Sequence, residues 1–488
     1  MGRGIKKIIV DETIDRRING YYSTPNFVSE FIAKELLRIL PNGKKVLDPC
    51  VGKEELHQYL NHKNKIIDSM DLVDFKIKYK SNFFQKDFIE FYEEEKRNCI
   101  LDEKINLDYD YYIFNPPYNC HEVEYIRNNK NRLKKLFPDT GVHNMYSMFI
   151  SSVIDCAKDG AVIGFITLDS FLTSKIHFGL RKKIIKECSI HTIVLCPTDL
   201  FRDQKADVRT CIMILQKNNK FQRSVEISNR PQNINMFKTI LENRHFESKT
   251  LSEVILTSEN DFDEFVIGSP NEVLQLFKSP RLGKKFKCVT GISTANDKKY
   301  LSNEITDEFS TPFYKNPGKN RFYTEPNSYL TDEFLELDKK ISNFQVRNKH
   351  ILFKEGITCS SMGVPFTACY LPPNSTFGVN ANIICDHADL WWLIGYLNSS
   401  LVTYFVRGVL LRTNMITSGY VSRIPIVNLS IKSKNRIKDL SIIEYKKKGK
   451  TSIKTIQKID NILYKELKID PQTQHYISEF CNDLLNYT

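Results

Sequence analysis

The sequence lacks several features that define common classes of protein. Its 488 residues contain no apolar run close to the roughly 20 residues that cross a bilayer, and its first residues lack the apolar segment of a secretory signal. The twelve cysteines are scattered without a CxxC pair, which argues against a zinc ribbon or a disulfide framework. No GxxxxGK(S/T) or complete GxGxxG motif is present, so no phosphate-binding loop is predicted. We therefore expect a protein of a reducing cytoplasm, with no membrane span and no metal site.

Basic residues are in excess. Lys and Arg number 70 against 58 Asp and Glu, a formal net charge of +12. The chain is long enough for two or three domains, and an excess of this size favours a polyanionic partner such as nucleic acid. A solvated basic surface would produce the same count. Charge alone leaves both interpretations open.

Strand-like and helix-like patterns alternate over the first half of the chain. They predict helices at 27–40, 52–62, 146–157 and 181–187, and strands ending at or beside Asp48, Asp71, Asn115, Ile166, Leu195 and Gln216. Such alternation predicts an α/β fold with a doubly wound, Rossmann-like parallel sheet. Later residues show many short strand-like runs and then polar helical patterns. We predict an N-terminal arm (1–20), an α/β domain (21–255), a mixed α+β domain (260–428) and a helical C-terminal extension (429–488).

Acidic residues stand at the ends of successive predicted strands, where open α/β sheets bind ligands. The residues at these ends are Asp48, Pro49, Gly52, Asp71, Asp87 and Phe88. Gly52 lets the backbone approach a ligand, and Asp48 can accept from a ligand ammonium. Asp71 is placed to bind a ribose hydroxyl, while Asp87 can accept an adenine amine with Phe88 stacked on that ring. Each aspartate alone could be a strand-end cap, but the ordered set indicates a non-phosphorylated adenosine cofactor, S-adenosylmethionine.

The motif Asn115-Pro116-Pro117-Tyr118 follows the apolar run that ends at Phe114. The two prolines have no backbone N–H, so the loop is rich in oxygen acceptors and poor in donors. Acceptors of this kind can draw the planar amine of adenine toward tetrahedral geometry and free its lone pair, while the ring of Tyr118 stacks on the base. A simple proline turn after a strand is the alternative interpretation. In its context the motif predicts a catalytic loop that acts on an exocyclic amine.

Together these motifs make the chain resemble the gamma class of N6-adenine DNA methyltransferases. The matching motifs are Tyr22-Ser23-Thr24-Pro25, Asp48 to Gly52, Asp71, Asp87-Phe88 and Asn115 to Tyr118, within a resemblance over roughly residues 20–216. The resemblance implies that Tyr22 and Thr24 belong to the cofactor site, with Thr24 at the methionine moiety. It also implies that Phe201 stacks on the flipped adenine, although Phe201 could equally be a core residue. Glu54 departs from the family turn, which has glycine there, and we expect it to crowd the methionine moiety or move the turn.

The resemblance further implies that the second domain reads DNA. A basic cleft would hold the duplex while the adenine leaves the stack, because attack on a sulfonium cannot occur within the helix. Predicted contacts to phosphates or bases are Lys284, Lys285, Lys287, Arg321, Arg407, Arg412 and Arg423. For each of these a solvated surface role is the alternative. The recognition sequence does not follow from the residues.

We interpret the chain as a bacterial, cytoplasmic and monomeric enzyme that methylates adenine N6 in double-stranded DNA. The resemblance implies pairing with a separate restriction endonuclease of a restriction–modification system. Asn-Pro-Pro-Tyr motifs also occur in enzymes that methylate RNA adenine or protein glutamine, and a noncatalytic DNA-specificity subunit is a further alternative. Residues 260–428 favour a DNA substrate, and the intact motif favours catalysis.

Overall fold

A computed structural model describes residues 9–11, 14–15, 20–60, 65–99, 104–119, 123–204, 206, 208–218, 224–259, 261–362, 365–411, 415–449 and 451–486. The chain divides into two compact units. Unit 1 comprises residues 1–257 and 262–268, and unit 2 comprises residues 258–261 and 269–488. Of the predicted N-terminal arm, Ile9–Asp11 and Ile14–Asp15 form a short antiparallel pair, and most of the rest lies outside the described residues.

Unit 1 is built on one large sheet. Its strands are β1 (Lys45–Asp48), β2 (Ile66–Asp71), β3 (Asn82–Gln85), β4 (Tyr111–Phe114), β5 (Val162–Leu168), β6 (Cys188–Leu195), β7 (Thr210–Lys217), β8 (Val225–Ser228) and β9 (Glu247–Lys249). Across the described residues they lie in the order β9-β8-β6-β7-β5-β4-β1-β2-β3. The strands from β3 to β5 pair in parallel, whereas β7 runs antiparallel between β5 and β6. At the other edge β8 is parallel to β6, and β9 is antiparallel to β8. The predicted doubly wound α/β sheet is therefore confirmed, with two reversed strands, β7 and β9, that the sequence pattern did not reveal.

Helices cover both faces of this sheet. They are α1 (Asn26–Ile39), α2 (Phe88–Asn98), α3 (Glu124–Asn128), α4 (Lys130–Leu136), α5 (Met145–Cys156), α6 (Phe178–Glu187) and α7 (Ile234–Asn243). One apolar core joins the sheet to α2, α5 and α6, and the other joins it to α1 and α7. Strands buried on both faces read as continuous apolar runs, which explains why β4 and β5 were recognisable. The short segments Leu251–Val254, Ile255–Leu256 and Glu264–Phe265 complete the unit.

The helix predicted at 52–62 is wrong. After β1 the chain turns through Gly52 and Glu54, whose φ angles of 57° and 64° are left-handed and interrupt an α-helix. Only a short 3-10 turn, His57–Leu60, follows before the residues at 61–64 that lie outside the described part of the chain. The predicted helices at 27–40, 146–157 and 181–187 agree with α1, α5 and α6 apart from their exact ends.

Unit 2 is a mixed α+β structure. One sheet contains Lys287–Val289, Asn382–Ile384, Gly356–Cys359 and Ala368–Leu371, another contains Leu301–Ser302, Ser328–Leu330, Thr311–Tyr314 and Thr376–Phe377, and Ile292–Ser293 pairs with Gln345–Val346. Its helices are Asn271–Leu276, Leu282–Lys285, Asp297–Tyr300, Phe334–Lys340, His387–Leu397, Ser400–Tyr404, Phe405–Leu410, Ser418–Val421, Ile431–Lys446, Ile453–Leu467 and Pro471–Asn486. The last three lie in the segment predicted to be helical. In the described ranges of both units, we find no helix of the length and apolarity that crossing a bilayer requires.

Candidate active site

The predicted catalytic loop follows β4 at the carboxyl edge of the sheet. The side-chain nitrogen of Asn115 donates to the carbonyl of Tyr22 at 2.8 Å and to the hydroxyl of Thr24 at 3.0 Å. Because a carbonyl can only accept, this contact fixes the orientation of the amide. The Asn115 Oδ1 atom is then left buried, and it accepts from no group among the residues that the structure describes. An unsatisfied buried acceptor costs about 1–3 kcal/mol, so a ligand that donates a hydrogen bond here is favoured.

Three aromatic rings pack beside this acceptor. Tyr118 stacks on Tyr22 with 5.0 Å between ring centroids, and Phe201 meets Tyr118 edge-on at 6.4 Å and Tyr22 at 5.8 Å. Tyr118 and Phe201 are buried, and burial raises the pKa of the Tyr118 phenol well above its ordinary value, which keeps it neutral. Tyr22, assigned from the sequence to the cofactor site, therefore also places its ring against both predicted base-stacking residues.

Gln204 is a further residue of this cluster that the sequence reasoning missed. Its side-chain oxygen accepts from the backbone N–H of Ser23 at 3.1 Å, and its side-chain nitrogen donates to the carbonyl of Ser23 at 2.7 Å. The two bonds hold the segment that bears Tyr22 against the loop that bears Phe201. A glutamine three residues after a predicted stacking residue carries no recognisable signal, since only the fold brings Ser23 to it.

The turn after β1 has the features of a ligand cradle. Asp48 Oδ1 accepts from the backbone N–H of Cys50 at 3.2 Å, whereas Oδ2 is fully buried and has no hydrogen-bond partner within the described ranges. Burial raises the pKa of Asp48 to about 7, against an opposing effect of His57. Pro49 is buried behind the turn, and a Cβ on Gly52 would lie 2.7 Å from the ring of Tyr21. A cationic group is the ligand that would satisfy Asp48.

Asp71 joins this turn to the end of β2. Its carboxylate accepts from the backbone N–H of Gly52 at 2.9 Å and from that of Val73 at 3.0 Å. Burial raises the pKa of Asp71, and these hydrogen bonds oppose that effect. The Sγ atom of Cys50 donates to the carbonyl of Asn115 at 3.3 Å. The structure thus brings the predicted cofactor turn, the predicted ribose ligand and the predicted catalytic loop to one edge of the sheet.

Asp87 and Phe88 have local partners of their own. Asp87 caps α2 by accepting from the backbone N–H of Ile89 at 2.8 Å, and its other oxygen accepts from the hydroxyl of Tyr125 at 2.6 Å. Phe88 is 1% exposed and packs against Phe149 with 5.4 Å between ring centroids. Contact of Asp87 and Phe88 with a cofactor adenine stays a prediction. Tyr125, which the sequence did not indicate, is a second candidate at this position.

Glu54 points away from the cradle rather than into it. Its carboxylate accepts from the backbone N–H groups of Lys80 and Ser81 at 3.0 and 2.9 Å and from the Ser81 hydroxyl at 2.7 Å, and it lies 3.4 Å from His57 Nε2. Burial by itself would raise the pKa of Glu54, but the neighbouring His57 and the hydrogen bonds from Ser81 and Lys80 lower it to about 2. The residue adopts the left-handed φ that glycine would supply, and its side chain anchors the 80–81 loop.

Three of the seven predicted DNA contacts of unit 2 contact carboxylates of that unit. Lys284 pairs with Glu259, Lys285 pairs with Asp389, and the largely buried Arg423 lies 3.5 Å from Asp261. Lys287 is exposed, Arg407 is half-buried, and Arg321 lines a cavity of about 450 Å³ together with Asp460. Arg412 lies outside the described residues. A DNA-contacting role for these seven residues stays a prediction.

The doubly wound sheet with β7 reversed, and with a glycine turn and acidic strand ends at its carboxyl edge, is the fold of an S-adenosylmethionine-dependent methyltransferase domain. The family described as N-6 DNA Methylase matches residues 13–267, more than half of the chain. The chain belongs to this family, and S-adenosylmethionine is its methyl donor. The resemblance found in the sequence is thereby confirmed at the level of the family, and membership of the gamma class stays a prediction.

Known relatives are similar over part of their length. The Type II methyltransferase M.PstI of Providencia stuartii is 26% identical over 161 residues, which are 32% of this chain and 29% of that protein. M.BanIII of Aneurinibacillus aneurinilyticus is 27% identical over 221 residues, 40% of this chain and 38% of that protein. The chain therefore matches about a third of the length of these relatives.

Solved structures show the same fold at low sequence identity. The chain is similar to the protein in a DrdV–DNA complex, with a TM-score of 0.56 and 11% identity, over 88% of this chain and 57% of that chain. It is also similar to the ATP-dependent Type ISP restriction–modification enzyme LlaBIII bound to DNA, with a TM-score of 0.53 and 11% identity, over 87% and 39% of the two chains.

Proposed function

We propose that this protein is a site-specific DNA methyltransferase that transfers the methyl group of S-adenosylmethionine to the N6 amine of a flipped adenine. The observation that carries the proposal is the buried Oδ1 of Asn115, which accepts from no residue that the structure describes and is held in orientation by the segment Tyr22–Thr24 beside two stacking rings. Only a donor can satisfy this oxygen, and an exocyclic amine is a donor that can also serve as a nucleophile.

The residues of the cradle fit the proposed cofactor. Asp48 offers a buried carboxylate oxygen to the ammonium of the methionine moiety. The hydroxyl of Thr24, which the resemblance assigns to the same moiety, accepts from the side-chain nitrogen of Asn115. The backbone N–H of Gly52 donates to Asp71, and we assign the Asp71 carboxylate to the ribose hydroxyls. When bound, S-adenosylmethionine supplies a sulfonium-activated methyl group. We assign Asp87 and Phe88 to its adenine, as the resemblance implies.

Asn115 activates the amine in the proposed reaction. Its Oδ1 accepts one hydrogen of N6, and the carbonyl of Pro116 is assigned to the other, so that the nitrogen lone pair leaves the plane of the ring. As the nitrogen takes up the methyl group it loses one proton, which passes to water because an amide oxygen is too weak a base to keep it. The acceptors therefore bind the tetrahedral nitrogen of the transition state more strongly than the planar amine of the substrate, and this difference lowers the barrier.

Tyr118 and Phe201 are assigned to hold the extruded base. In the described structure the ring of Tyr22 packs against both, so one face of Tyr118 is covered. Binding of an adenine to that face requires the Tyr22 ring to leave it. Exchange of one stacked ring for another keeps the apolar surface covered, which limits the free-energy cost of the movement.

The substrate and partners follow from the same proposal. We infer that residues 260–428 recognise the target sequence, that residues 429–488 are a helical extension, and that double-stranded DNA is the substrate. The named relatives are Type II methyltransferases, and we propose a protective role beside a separate restriction endonuclease. The protein is proposed to act as a monomer.

Methyl transfer from radiolabelled S-adenosylmethionine to duplex DNA, RNA and protein tests the function. We expect label in duplex DNA, recovered as N6-methyladenine after digestion to nucleosides. Label confined to RNA adenine or to protein glutamine would assign one of the alternative activities. Sequence-selective DNA binding without transfer in any of the three would instead identify a noncatalytic specificity subunit.

A further inference from the structure

Helices α3 and α4 follow the catalytic loop and carry a row of cations. Their inward residues, Ile126, Leu133 and Leu136, are buried in the core of unit 1. Four outward residues are exposed, and we call Arg127, Lys130, Lys134 and Lys135 the basic face. Spacings of three and four residues place the first three of them on one side of a helical path. Apolar packing of the inner residues therefore fixes this cationic surface to the unit.

The basic face is not paired with acidic side chains in the described part of the chain. Within the ranges that the structure describes, none of its four residues forms an ion pair, whereas Arg132 of the same helix pairs with Glu93 at 2.8 Å and lies 3.5 Å from Glu90. The acids that α2 presents to α4 are thus used by Arg132. Neighbouring like charges repel one another, and an anionic partner relieves that repulsion.

The structure also holds this surface at the edge of the sheet that carries the site. The hydroxyl of Tyr125 in α3 donates to Asp87, two residues after the end of β3, at 2.6 Å. On the other side, the backbone N–H of Met145 at the start of α5 donates to the carbonyl of Asn119, next to the catalytic loop, at 2.9 Å. The helices between these two anchors therefore lie on the side of the sheet where the proposed base is bound.

A surface cavity of about 370 Å³ extends the cationic region between α2 and α4. The residues that line it are Glu93, Lys96, Arg97, Arg132, Lys135 and Leu136. Four of the six are cationic and one is acidic, so the cavity favours an anionic group. By contrast, three of the cations predicted from sequence to meet DNA, Lys284, Lys285 and Arg423, already contact carboxylates of unit 2.

We propose that the basic face binds the phosphate backbone of the duplex next to the extruded adenine. This inference rests on the proposed function, because it takes DNA as the substrate. Lysine and arginine contacts to phosphate are independent of sequence, so the basic face contributes affinity and position rather than recognition of bases. It supplies a DNA surface to unit 1, where the sequence indicated none.

A matched pair of double variants tests the proposal. Lys130→Gln/Lys134→Gln removes two charges four residues apart from the basic face. Lys182→Gln/Lys186→Gln removes two exposed charges of the same spacing from α6, near the amino end of β6 and hence toward the opposite edge of the sheet. Binding of a fluorescent duplex is measured by anisotropy over a range of salt concentrations, with S-adenosylmethionine affinity as a check on folding.

We expect the Lys130/Lys134 variant to bind duplex DNA about tenfold more weakly and to lower the slope of log affinity against log salt by about 2, one for each lost phosphate contact. The loss should be the same for cognate and unrelated sequences, and the α6 variant should stay within about twofold of the wild type. Equal binding by the two variants would overturn the proposal, as would a loss restricted to cognate DNA.

The outcomes separate this inference from the proposed function. If the wild type methylates DNA and the Lys130/Lys134 variant binds it normally, the basic face is refuted and the function stands. If the wild type labels only RNA or protein, the proposed function fails. Tighter binding of RNA than of duplex DNA through the same residues would overturn the choice of duplex DNA as the partner.

Discussion

Asp48 should make cofactor binding depend on pH. Its pKa of about 7 reflects burial, which outweighs the opposing effect of His57, and only the ionised carboxylate can bind the ammonium of S-adenosylmethionine. Between about pH 6 and about pH 7.5 the ionised fraction rises from roughly a tenth to roughly three quarters. Apparent affinity scales with the fraction of competent protein, so it should rise about eightfold, or about 1.2 kcal/mol. The ligand amine, with a pKa near 8, stays largely protonated in this range.

Calorimetric titration of S-adenosylmethionine over this pH range, with Asp48→Asn as the matched control, measures the effect. His57, Asp71 and Glu55 also act on Asp48 electrostatically, and the variant keeps all three. Any slope that remains in the Asn variant belongs to them or to the ligand. We expect the variant to bind weakly and almost independently of pH. Parallel profiles of wild type and variant would refute the ammonium assignment.

The raised pKa of Asp48 also makes the stability of the unliganded protein fall as the pH rises, whereas cofactor affinity should increase. The folded-state pKa of Asp48 is raised above its unfolded value of about 3.8, so its contribution to stability is full at low pH and is lost as the pH rises through about 7. The Tm of the wild type relative to Asp48→Asn should therefore fall between about pH 4 and about pH 7. A Tm difference that is constant with pH would contradict the burial-based explanation.

Three further predictions concern the same edge of the sheet. Asn115→Ala should keep cofactor and DNA affinity but lower kcat by about 10²- to 10³-fold, and near-normal single-turnover rates would remove Asn115 from the mechanism. Tyr118→Phe should retain most activity, whereas Tyr118→Ala should lose about 1–3 kcal/mol of base stacking. With 2-aminopurine at the target position, equal fluorescence of the DNA complexes of the wild type and of Tyr118→Ala would exclude stacking. Glu54→Gly removes about 1–2 kcal/mol of left-handed backbone cost, but it also removes three hydrogen bonds worth about 1–3 kcal/mol each. The variant should therefore have a lower Tm than the wild type. A higher Tm would show that the contacts of Glu54 with the 80–81 loop contribute little to stability.

The chain's local patterns were sufficient to predict much of the fold. Continuous apolar runs identified β4 and β5, because strands buried on both faces tolerate little else. Apolar residues at helical spacing identified α1 and α5, because the residues of a helix that face the core must be apolar. The helix predicted at 52–62 failed because Gly52 and Glu54 adopt left-handed backbone angles, and a glutamate at such an angle is stabilised by partners that lie 26 and 27 residues later.

By itself the sequence determined the family, since the motifs at the strand ends are short, local patterns that can be recognised without knowing how the chain packs. Asn115, Asp48 and Asp71 could be placed at one edge because parallel strands end on the same side of their sheet. The contacts of Tyr22, Gln204 and Tyr125, and the partners of the charged residues, were decided only by the tertiary structure. Those contacts join residues up to 181 positions apart, and no local pattern encodes which of many polar side chains will meet. Whether a lysine is paired with an acid, as Lys284 is, or is exposed with no acidic partner among the described residues, as Lys130 is, depends on that same packing.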